Sequence, residues 1–398
     1  RPKSRSRWAR GPVTTRGAWA VASTRSSAVR AALGVGDRFS FFARAPASGY
    51  YAALTGDATR LAIGGGGPDE GYVRFASVEL DRVFPVLYKY YDDHPMGRAT
   101  LVNDGRRAIE DVEVRLALRQ FMDAPKVSAR VERLEPGEER EIDVYALFTE
   151  EILSITEGAK VAAELSVDYT VDSRSGADSE TVTLDTYDRN ALRWDDDEKI
   201  AAFVTARDEE VQRFARNNAS IVDDRGIDAV RRELQLAMVF LAAMAEHRCA
   251  YVVDPSSAYF ELSRDGQAVD SVQFPRQTLQ YRAGDCDDLS ATYAALLESA
   301  GVPTAFVTVP GHIFVAFRLD MEASEAARAF ARADDLIVRD DGEVWVPVET
   351  TLLREGFLVA WAEGASAWRK HASDGEAQLY RTAEAWRTYE PVAFGVSQ

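Results

Sequence analysis

The chain is poor in cysteine and histidine, with two and four of these residues among 398. The two cysteines, Cys249 and Cys286, lie in different sequence contexts, which argues against a disulfide scaffold. One central histidine and one central cysteine are too few to close a zinc site, and no calcium-loop pattern is present. The sequence therefore predicts neither a metal nor another cofactor.

Long hydrophobic runs are also lacking. No apolar stretch reaches the ~18 residues that a membrane helix needs, and the most apolar run, residues 234–245, is typical of a buried helix. The glycines at 64–67 lack the lysine and the following helix of a phosphate-binding loop, so they predict a plain loop and disfavour nucleotide binding. We expect no membrane-spanning segment.

Positive charge is scarce beyond the first residues. The net charge is −17, yet residues 1–36 hold eight Lys or Arg and no acid, so the remainder carries −25. A surface this acidic disfavours nucleic acid as a partner. Residues 1–36 have the composition of a disordered or targeting leader. An acidic multidomain chain suits a bacterial envelope or an extracellular setting.

The composition, 46% hydrophobic and 28% charged, is ordinary for a globular protein, and the length predicts two or three domains of ~150 residues. Over residues 37–190 the apolar positions recur with a period of two. Val112, Val114 and Leu116 alternate with polar residues, and the Asn-Asp-Gly triplet at 103–105 predicts a hairpin turn. About seven such strands predict an immunoglobulin-like β-sandwich.

Residues 191–398 show a mixed pattern. A loop-rich, aromatic segment at 251–280 could line a substrate groove. Apolar residues at helical spacing predict four helical segments, in addition to a helix at Cys286 that is described below. These are the segments 195–216, 227–246, 357–368 and 377–386, the first broken at Asn217-Asn218.

Cys286 lies at the entry to a predicted helix. The apolar face of this helix consists of Leu289, Tyr293, Leu296 and Leu297. Asp285 suits the N-cap, which puts Cys286 in the first turn, where the helix dipole favours a thiolate. The charges of Asp287 and Asp288 oppose that thiolate, so an imidazolium partner would have to outweigh them.

A histidine and a carboxylate follow on predicted strands. Segments 303–309, 312–319 and 343–348 alternate as strands do. A helix followed by three strands would bring the helix entrance, His312 and Glu349 to one end of a sheet. Cysteine, histidine and acid are the parts of a thiol nucleophile with an oriented base.

Each of these residues also has an ordinary structural explanation. A lone cysteine at a helix start is more often a small buried hydrophobe, and a lone histidine is usually structural. Cys249 is predicted to serve packing, His247 to end a helix, and His94 and His371 to lie at the surface. The catalytic interpretation therefore depends on Cys286, His312 and Glu349 occurring together.

About half of the chain, roughly residues 190–398, resembles the transglutaminase-like superfamily, whose members have a papain-like α+β layout. The resemblance rests on the Gly-Asp-Cys-Asp-Asp run at 284–288, on Gly311-His312 at a strand start, and on the tryptophan-led strand at 345–350. It implies Cys286 as nucleophile and His312 as general base and acid. Glu349 stands where the family usually carries the aspartate that orients the imidazole.

An acyl-transfer site also needs donors for the oxyanion. The backbone N–H of Cys286 is one candidate, and Asp285 supports it as the helix cap. Side-chain candidates are Gln280, which we favour, and Gln277, Tyr281 and Tyr251.

The sequence thus predicts an α+β protein with a leader at 1–36, a sandwich region at 37–190 and a transglutaminase-like domain at 191–398. The expected function is cysteine-dependent acyl transfer on the amide bonds of a peptide or protein substrate, with hydrolysis favoured over crosslinking. The alternative is a catalytically silent binding or scaffolding protein that keeps the fold.

Overall fold

A computed structural model describes residues 41–44, 51–54, 61–64, 72–253, 268–339 and 341–394. Over these ranges the chain is a mixed α+β protein with several sheets. The predicted leader at 1–36, most of the glycine run and the middle of the 251–280 segment lie outside the described residues. Within them, no helix combines the length and the apolar character needed to cross a bilayer.

The first part of the chain is built from antiparallel β-structure. A three-stranded sheet comes first, in the order β1-β2-β3, and two more sheets follow, in the orders β4-β5-β8 and β10-β9-β6-β7. The strands are β1 (Phe41–Arg44), β2 (Tyr51–Leu54), β3 (Leu61–Gly64), β4 (Val73–Leu80), β5 (Gly97–Asn103), β6 (Ile109–Ala117), β7 (Lys126–Leu134), β8 (Glu139–Asp143), β9 (Ala159–Val171) and β10 (Arg174–Thr186).

The period-two pattern explains how the two larger sheets share a core. Val112, Val114 and Leu116 of β6 are buried, and the intervening residues of the strand are more exposed. Leu101 from β5 and Leu165 from β9 belong to the same apolar cluster. The alternation therefore buries one face of each sheet, as the sequence predicted.

Residues 191–246 connect the two parts. Strand β11 (Ala191–Arg193) pairs with β13 (Val269–Ser271), and the buried Trp194 Nε1 donates to Asp270 Oδ2 at 2.8 Å. A 3-10 helix at Asp197–Phe203 precedes α1 (Glu209–Arg225) and α2 (Arg232–Glu246).

The predicted break at Asn217-Asn218 is wrong, because α1 runs through both residues. Asn218 Nδ2 donates to the Phe214 carbonyl at 2.8 Å, which satisfies the amide inside the helix. The predicted start of α2 at residue 227 is also wrong. The Gln235 side chain bonds both the N–H and the carbonyl of Ile227, at 2.8 and 3.0 Å, and so holds the preceding segment outside the helix.

The second part packs helices on a five-stranded antiparallel sheet with the order β17-β18-β16-β15-β19. The central helix α4 (Cys286–Ser299) is buried from its first residue through Leu297, and its Tyr293 hydroxyl donates to the Ala237 carbonyl of α2 at 2.8 Å. The other elements are β12 (Ala250–Tyr251), α3 (Pro275–Tyr281), β14 (Ala283–Gly284), β15 (Thr304–Val309), β16 (His312–Leu319), α5 (Ala323–Ala329), β17 (Ile337–Val338), β18 (Val344–Val348), α6 (Phe357–Ala372), β19 (Gln378–Arg381) and α7 (Thr382–Ala385).

The predicted strands at 303–309, 312–319 and 343–348 are confirmed to within a residue as β15, β16 and β18. The predicted helix at 377–386 is wrong over its first half. Residues 378–381 form β19, which pairs with β15 from Ala305 to Thr308, because an unpaired edge there would leave backbone groups unsatisfied. Only the short α7 follows.

Candidate functional site

Cys286 is the first residue of α4, as predicted, and Asp285 is its N-cap. The Asp285 carboxylate accepts from the Asp288 N–H, and Asp288 Oδ2 accepts from the Asp285 N–H at 3.2 Å. This reciprocal cap requires Gly284, because a Cβ there would lie 2.6 Å from the Asp288 Cβ. The Gly-Asp-Cys-Asp-Asp run is therefore a local device that holds the cysteine in the first turn.

His312 and Glu349 meet at one end of the sheet. His312 Nε2 lies 2.5 Å from Glu349 Oε2, and the imidazole is about 29% exposed whereas the carboxylate side chain is 6% exposed. The other oxygen, Oε1, accepts from Thr351 N–H at 3.0 Å and from Thr351 Oγ1 at 2.5 Å. Glutamate, one methylene longer than the expected aspartate, thus reaches the ring nitrogen.

These hydrogen bonds set the charge of Glu349. Burial raises the pKa of this carboxyl, but the hydrogen bonds and the charge of His312, together with the bonds from Thr351, outweigh burial. The pKa of Glu349 therefore lies below its ordinary value, and the group is a carboxylate at neutral pH.

Cys286 lies beside the start of β16. Helix α4 packs against β16, and the backbone N–H of Ile313, the residue after His312, hydrogen-bonds to the thiol. The structure thus brings the cysteine next to the strand that carries the histidine. Cys286 is 6% exposed.

The expected lowering of the thiol pKa does not occur. Burial is the largest effect and the Asp285 carboxylate adds to it, so the pKa of Cys286 is raised above its ordinary value. The N–H groups of Ile313 and Asp287 act in the opposite direction but are weaker. The resting site therefore holds a neutral thiol, because desolvation of the sulfur outweighs the helix dipole.

Three carboxyl groups crowd the entrance of α4. One oxygen from each of Asp285, Asp287 and Asp288 lies within 4.8 Å of the others, and all three residues are buried. Burial, then a hydrogen bond and the charge of Asp285, raise the pKa of Asp287 well above its ordinary value. The protonated form of Asp287 is thus favoured, which weakens one of the two charges expected to oppose a thiolate.

Asp288 is the second of those charges. Burial, followed by Asp285, raises its pKa to about 7. Its oxygens accept from the Gln273 N–H at 2.6 Å and from Gln273 Nε2 at 2.7 Å. Because these donors already occupy the oxygens, the trio fits a proton-sharing cap better than the six to eight oxygen ligands of a calcium site.

The oxyanion candidates separate in the structure. Gln280 is exposed at the end of α3. Gln277 is engaged elsewhere, since its Oε1 accepts from the Phe274 N–H and from Asn190 Nδ2, both at 2.8 Å. Tyr281 is 59% exposed. None of these three contacts Cys286 among the contacts described.

Among the oxyanion candidates, Tyr251 is the side chain that interacts electrostatically with Cys286. Strand β12 pairs in parallel with β14, which sets Tyr251 opposite Gly284. Burial raises the pKa of the Tyr251 phenol, and the charges of Cys286, Asp285 and Glu349 raise it further. The phenol is therefore within electrostatic range of the cysteine and of the carboxylate that orients the histidine.

Sequence analysis missed the residues that hold Glu349. Thr351 bonds its carboxylate, and Thr350 Oγ1 lies 2.9 Å from Ser290 Oγ of α4, which joins the nucleophile helix to the glutamate segment. The available signal was the pair of threonines directly after Glu349, which suits the 3-10 turn found there.

The remaining cysteine and histidines take structural roles. Cys249 is fully buried, and burial raises the pKa of its thiol to about 11. His247 Nε2 bonds the Leu279 carbonyl at 2.9 Å, His94 stacks on Tyr90, and His371 pairs with Glu376 at 3.1 Å. Packing for Cys249 and a helix end for His247 were predicted correctly.

No family model matches the chain, and no curated protein matches it. The GAE domain of GGA2p from Saccharomyces cerevisiae is similar at 15% identity over 30% of this chain and 93% of that chain, with a TM-score of 0.17. A putative late embryogenesis abundant (LEA) protein is similar at 10% identity over 29% of this chain and 71% of that one, with a TM-score of 0.20. These low scores carry no argument about fold or activity.

Proposed function

We propose that the protein is a transglutaminase-like, cysteine-dependent acyl-transfer enzyme that hydrolyses amide bonds of a peptide or protein. The observation that carries this proposal is the 2.5 Å contact between His312 Nε2 and Glu349 Oε2. His312 begins strand β16, and the next residue of that strand, Ile313, bonds the Cys286 thiol. A histidine with a buried carboxylate on one nitrogen keeps the other nitrogen free to accept a proton.

The steps follow from this arrangement. Glu349 accepts the Nε2–H of His312, which leaves Nδ1 as the base that takes the proton from Cys286 Sγ. The sulfur attacks the amide carbonyl, and His312 returns the proton to the leaving amine as the C–N bond breaks. Water, deprotonated by the same imidazole, then attacks the thioester carbonyl. The C–S bond breaks, the acid is released, and His312 returns the proton to Cys286 Sγ.

The raised pKa of Cys286 determines when the thiol proton is transferred in the proposed mechanism. A buried neutral thiol does not form a standing thiolate–imidazolium pair, so proton transfer to His312 accompanies the attack. Backbone N–H groups at the start of α4 and the Tyr251 hydroxyl are the proposed donors to the oxyanion.

The proposal includes the finer architecture. The sheets β4-β5-β8 and β10-β9-β6-β7 would form an immunoglobulin-like sandwich, supported by their shared apolar core. Helix α4 on the antiparallel sheet would form the papain-like unit. Tyr90 stacks on Tyr389 at 5.3 Å and Lys89 pairs with Glu390 at 3.1 Å, so the two parts contact each other beside the C-terminal residues.

The test compares the wild type with Cys286→Ser, His312→Ala and His371→Ala. His371 is the matched control because it also pairs with a glutamate but lies on α6. Synthetic peptides containing internal glutamine and asparagine are incubated with each protein and analysed by mass spectrometry for cleavage and deamidation. We expect products with the wild type and His371→Ala, none with Cys286→Ser, and at least a ~100-fold loss with His312→Ala.

Alkylation of Cys286 by iodoacetamide at pH 7 gives a second readout that needs no substrate. We expect His312→Ala to slow it about tenfold or more, since the base that accepts the thiol proton is gone. Equal alkylation with and without His312 would contradict the enzyme proposal.

A second candidate function is a silent binding or scaffolding protein that keeps the same fold. The observation that favours it is the buried Cys286 with its raised pKa, which is ordinary for a structural thiol. This candidate predicts slow alkylation of Cys286 that is independent of His312, and no peptide products with any variant.

A further inference from the structure

Three arginine residues have neighbouring backbone positions beside the nucleophile helix. Arg354 Nε donates to the Cys249 carbonyl at 3.1 Å, and its Nη2 donates to the Arg248 carbonyl at 3.2 Å. The Ala250 N–H donates to the Arg282 carbonyl at 3.0 Å. Arg248, Arg282 and Arg354, hereafter the arginine cluster, therefore converge from the ends of α2 and α3 and from the segment after Glu349.

Two members of the arginine cluster occupy an unusual backbone conformation. Arg248 has φ of 70° and Arg282 has φ of 58°, in the left-handed region where glycine or asparagine normally ends a helix. A residue with a Cβ is disfavoured there relative to glycine. The chain thus carries two arginines at positions where glycine would be less strained.

The arginine cluster carries positive charge that the described part of the chain does not neutralise. The structure records no ion pair between these three guanidinium groups and a carboxylate of a described residue, and all three residues are exposed. By contrast, Arg318 and Arg381 both pair with Glu343. The arginine cluster therefore presents positive charge on a chain whose net charge is −17.

One member of the arginine cluster, Arg282, lies four residues before the proposed catalytic cysteine. Arg282 directly precedes β14, whose Gly284 pairs with Tyr251, and the Tyr251 phenol is within electrostatic range of Cys286. Arg354 follows Glu349 by five residues. Both Arg282 and Arg354 act on the neighbouring Cys249 thiol, where they oppose the larger effect of burial on its pKa.

We infer that the arginine cluster binds carboxylate groups of the substrate, so that the peptide presented to Cys286 is acidic. Guanidinium groups bind carboxylates through paired, charge-assisted hydrogen bonds. Arg282 lies on the segment that leads directly into the helix of Cys286. Arg354, held by two carbonyls, offers its remaining N–H groups, and Arg248 and Arg282 add flexible charge. The inference rests on the proposed function for the bond that is attacked, whereas binding itself does not require turnover.

The first test measures binding in the full chain carrying Cys286→Ser, which prevents turnover. Fluorescein-labelled hexaglutamate and hexaglutamine are titrated at low salt and followed by fluorescence anisotropy. We expect hexaglutamate to bind at least tenfold more tightly than hexaglutamine, and to weaken as salt is raised. Equal binding of the two peptides, or tighter binding of a labelled hexathymidylate, would overturn the inference.

The matched variants remove equal charge at two places. Arg248→Gln with Arg282→Gln alters the arginine cluster, and Arg213→Gln with Arg232→Gln alters two exposed arginines on α1 and α2 that pair with carboxylates. We expect about a tenfold loss of hexaglutamate affinity for the first pair alone. A similar loss for both pairs would show only a general charge effect. If the first pair unfolds, asparagine at both positions, which tolerates the left-handed conformation, replaces glutamine.

The second test separates this inference from the proposed function. Cys286 is alkylated with iodoacetate, which is an anion, and with iodoacetamide, which is neutral. The rate with iodoacetate divided by the rate with iodoacetamide is then compared between the wild type and the first variant pair. We expect the ratio to fall about threefold or more in that pair and to stay unchanged in the control pair. Reactivity that depends on His312 with an unchanged ratio would overturn the inference and leave the enzyme proposal standing. If hexaglutamate binds but the reactivity of Cys286 does not depend on His312, the enzyme proposal is overturned and the inference about the arginine cluster stands.

Discussion

The backbone of Glu349 packs directly against Gly364, so closely that a side chain at position 364 would clash with it. A Cβ there would lie 3.1 Å from Glu349 N and 2.9 Å from the Pro347 carbonyl oxygen. The close approach lets the Glu349 N–H donate to the Ala360 carbonyl of α6 at 2.9 Å. Helix α6 therefore positions the backbone of Glu349, and the Glu349 side chain in turn orients His312.

Gly364→Ala should move α6 away from β18 and loosen the contact between His312 and Glu349. Because the obstructing atoms are backbone, we expect a loss of stability of about 1–3 kcal/mol and slower alkylation of Cys286 at pH 7. Thermal unfolding and mass spectrometry give the two readouts. Ser366→Ala, an exposed change on the same helix, should leave both unchanged. Unaltered alkylation in Gly364→Ala would show that α6 does not position the glutamate.

Tyr251→Phe tests the proposed oxyanion donor. The substitution removes only the hydroxyl, so peptide hydrolysis should fall about 10- to 100-fold in kcat with little change in KM, because the donor acts as charge develops on the oxygen. Tyr281→Phe, on an exposed neighbouring tyrosine, is the control and should retain full activity. An equal effect of both changes, or a loss confined to KM, would assign Tyr251 to substrate binding instead.

Asp287→Asn tests the neutral state of the buried carboxyl. The folded protein holds a proton on Asp287 that the unfolded chain releases near pH 4, so the free energy of unfolding falls as pH rises above about 4. Asparagine cannot titrate, so this slope should decrease, by up to about 1.4 kcal/mol per pH unit for one proton. Urea unfolding between pH 4 and 7 measures it.

Asp288 titrates in the same window, with its pKa raised to about 7, so part of the slope should remain in Asp287→Asn. The exposed control Asp228→Asn should leave the slope as it is in the wild type. An unchanged slope in Asp287→Asn would mean that Asp287 is ionised in the folded protein.

Cys249→Ala tests the packing role of the second cysteine. The side chain is fully buried and its thiol pKa is about 11, so we expect a loss of stability of roughly 1–2 kcal/mol and unchanged peptide hydrolysis. Peptide mapping after iodoacetamide treatment at pH 7 should find label on Cys286 and not on Cys249. Loss of hydrolysis in a Cys249→Ala protein that still folds would give Cys249 a functional role.

The elements around the site were predictable where they depend on near neighbours in the sequence. The Asp285 cap, the helix from Cys286 and the strands β15, β16 and β18 follow from capping chemistry and from period-two alternation, which act over a few residues. Predictions failed where a distant partner decided the outcome. Pairing with β15 made residues 378–381 a strand. The wrongly predicted break at Asn217-Asn218 had a local cause instead, because the Asn218 side chain bonds the carbonyl of Phe214 four residues earlier.

The sequence by itself determined which residues could form the site and which elements carry them, because residue type and local spacing are written in the chain. The tertiary structure alone decided that Glu349 reaches His312 and that the pKa values of Asp287 and of the Cys286 thiol are raised. The convergence of Arg248, Arg282 and Arg354 also appeared only there. Contacts between residues far apart in the sequence, and the burial they produce, set distances and pKa values, and neither can be computed from spacing.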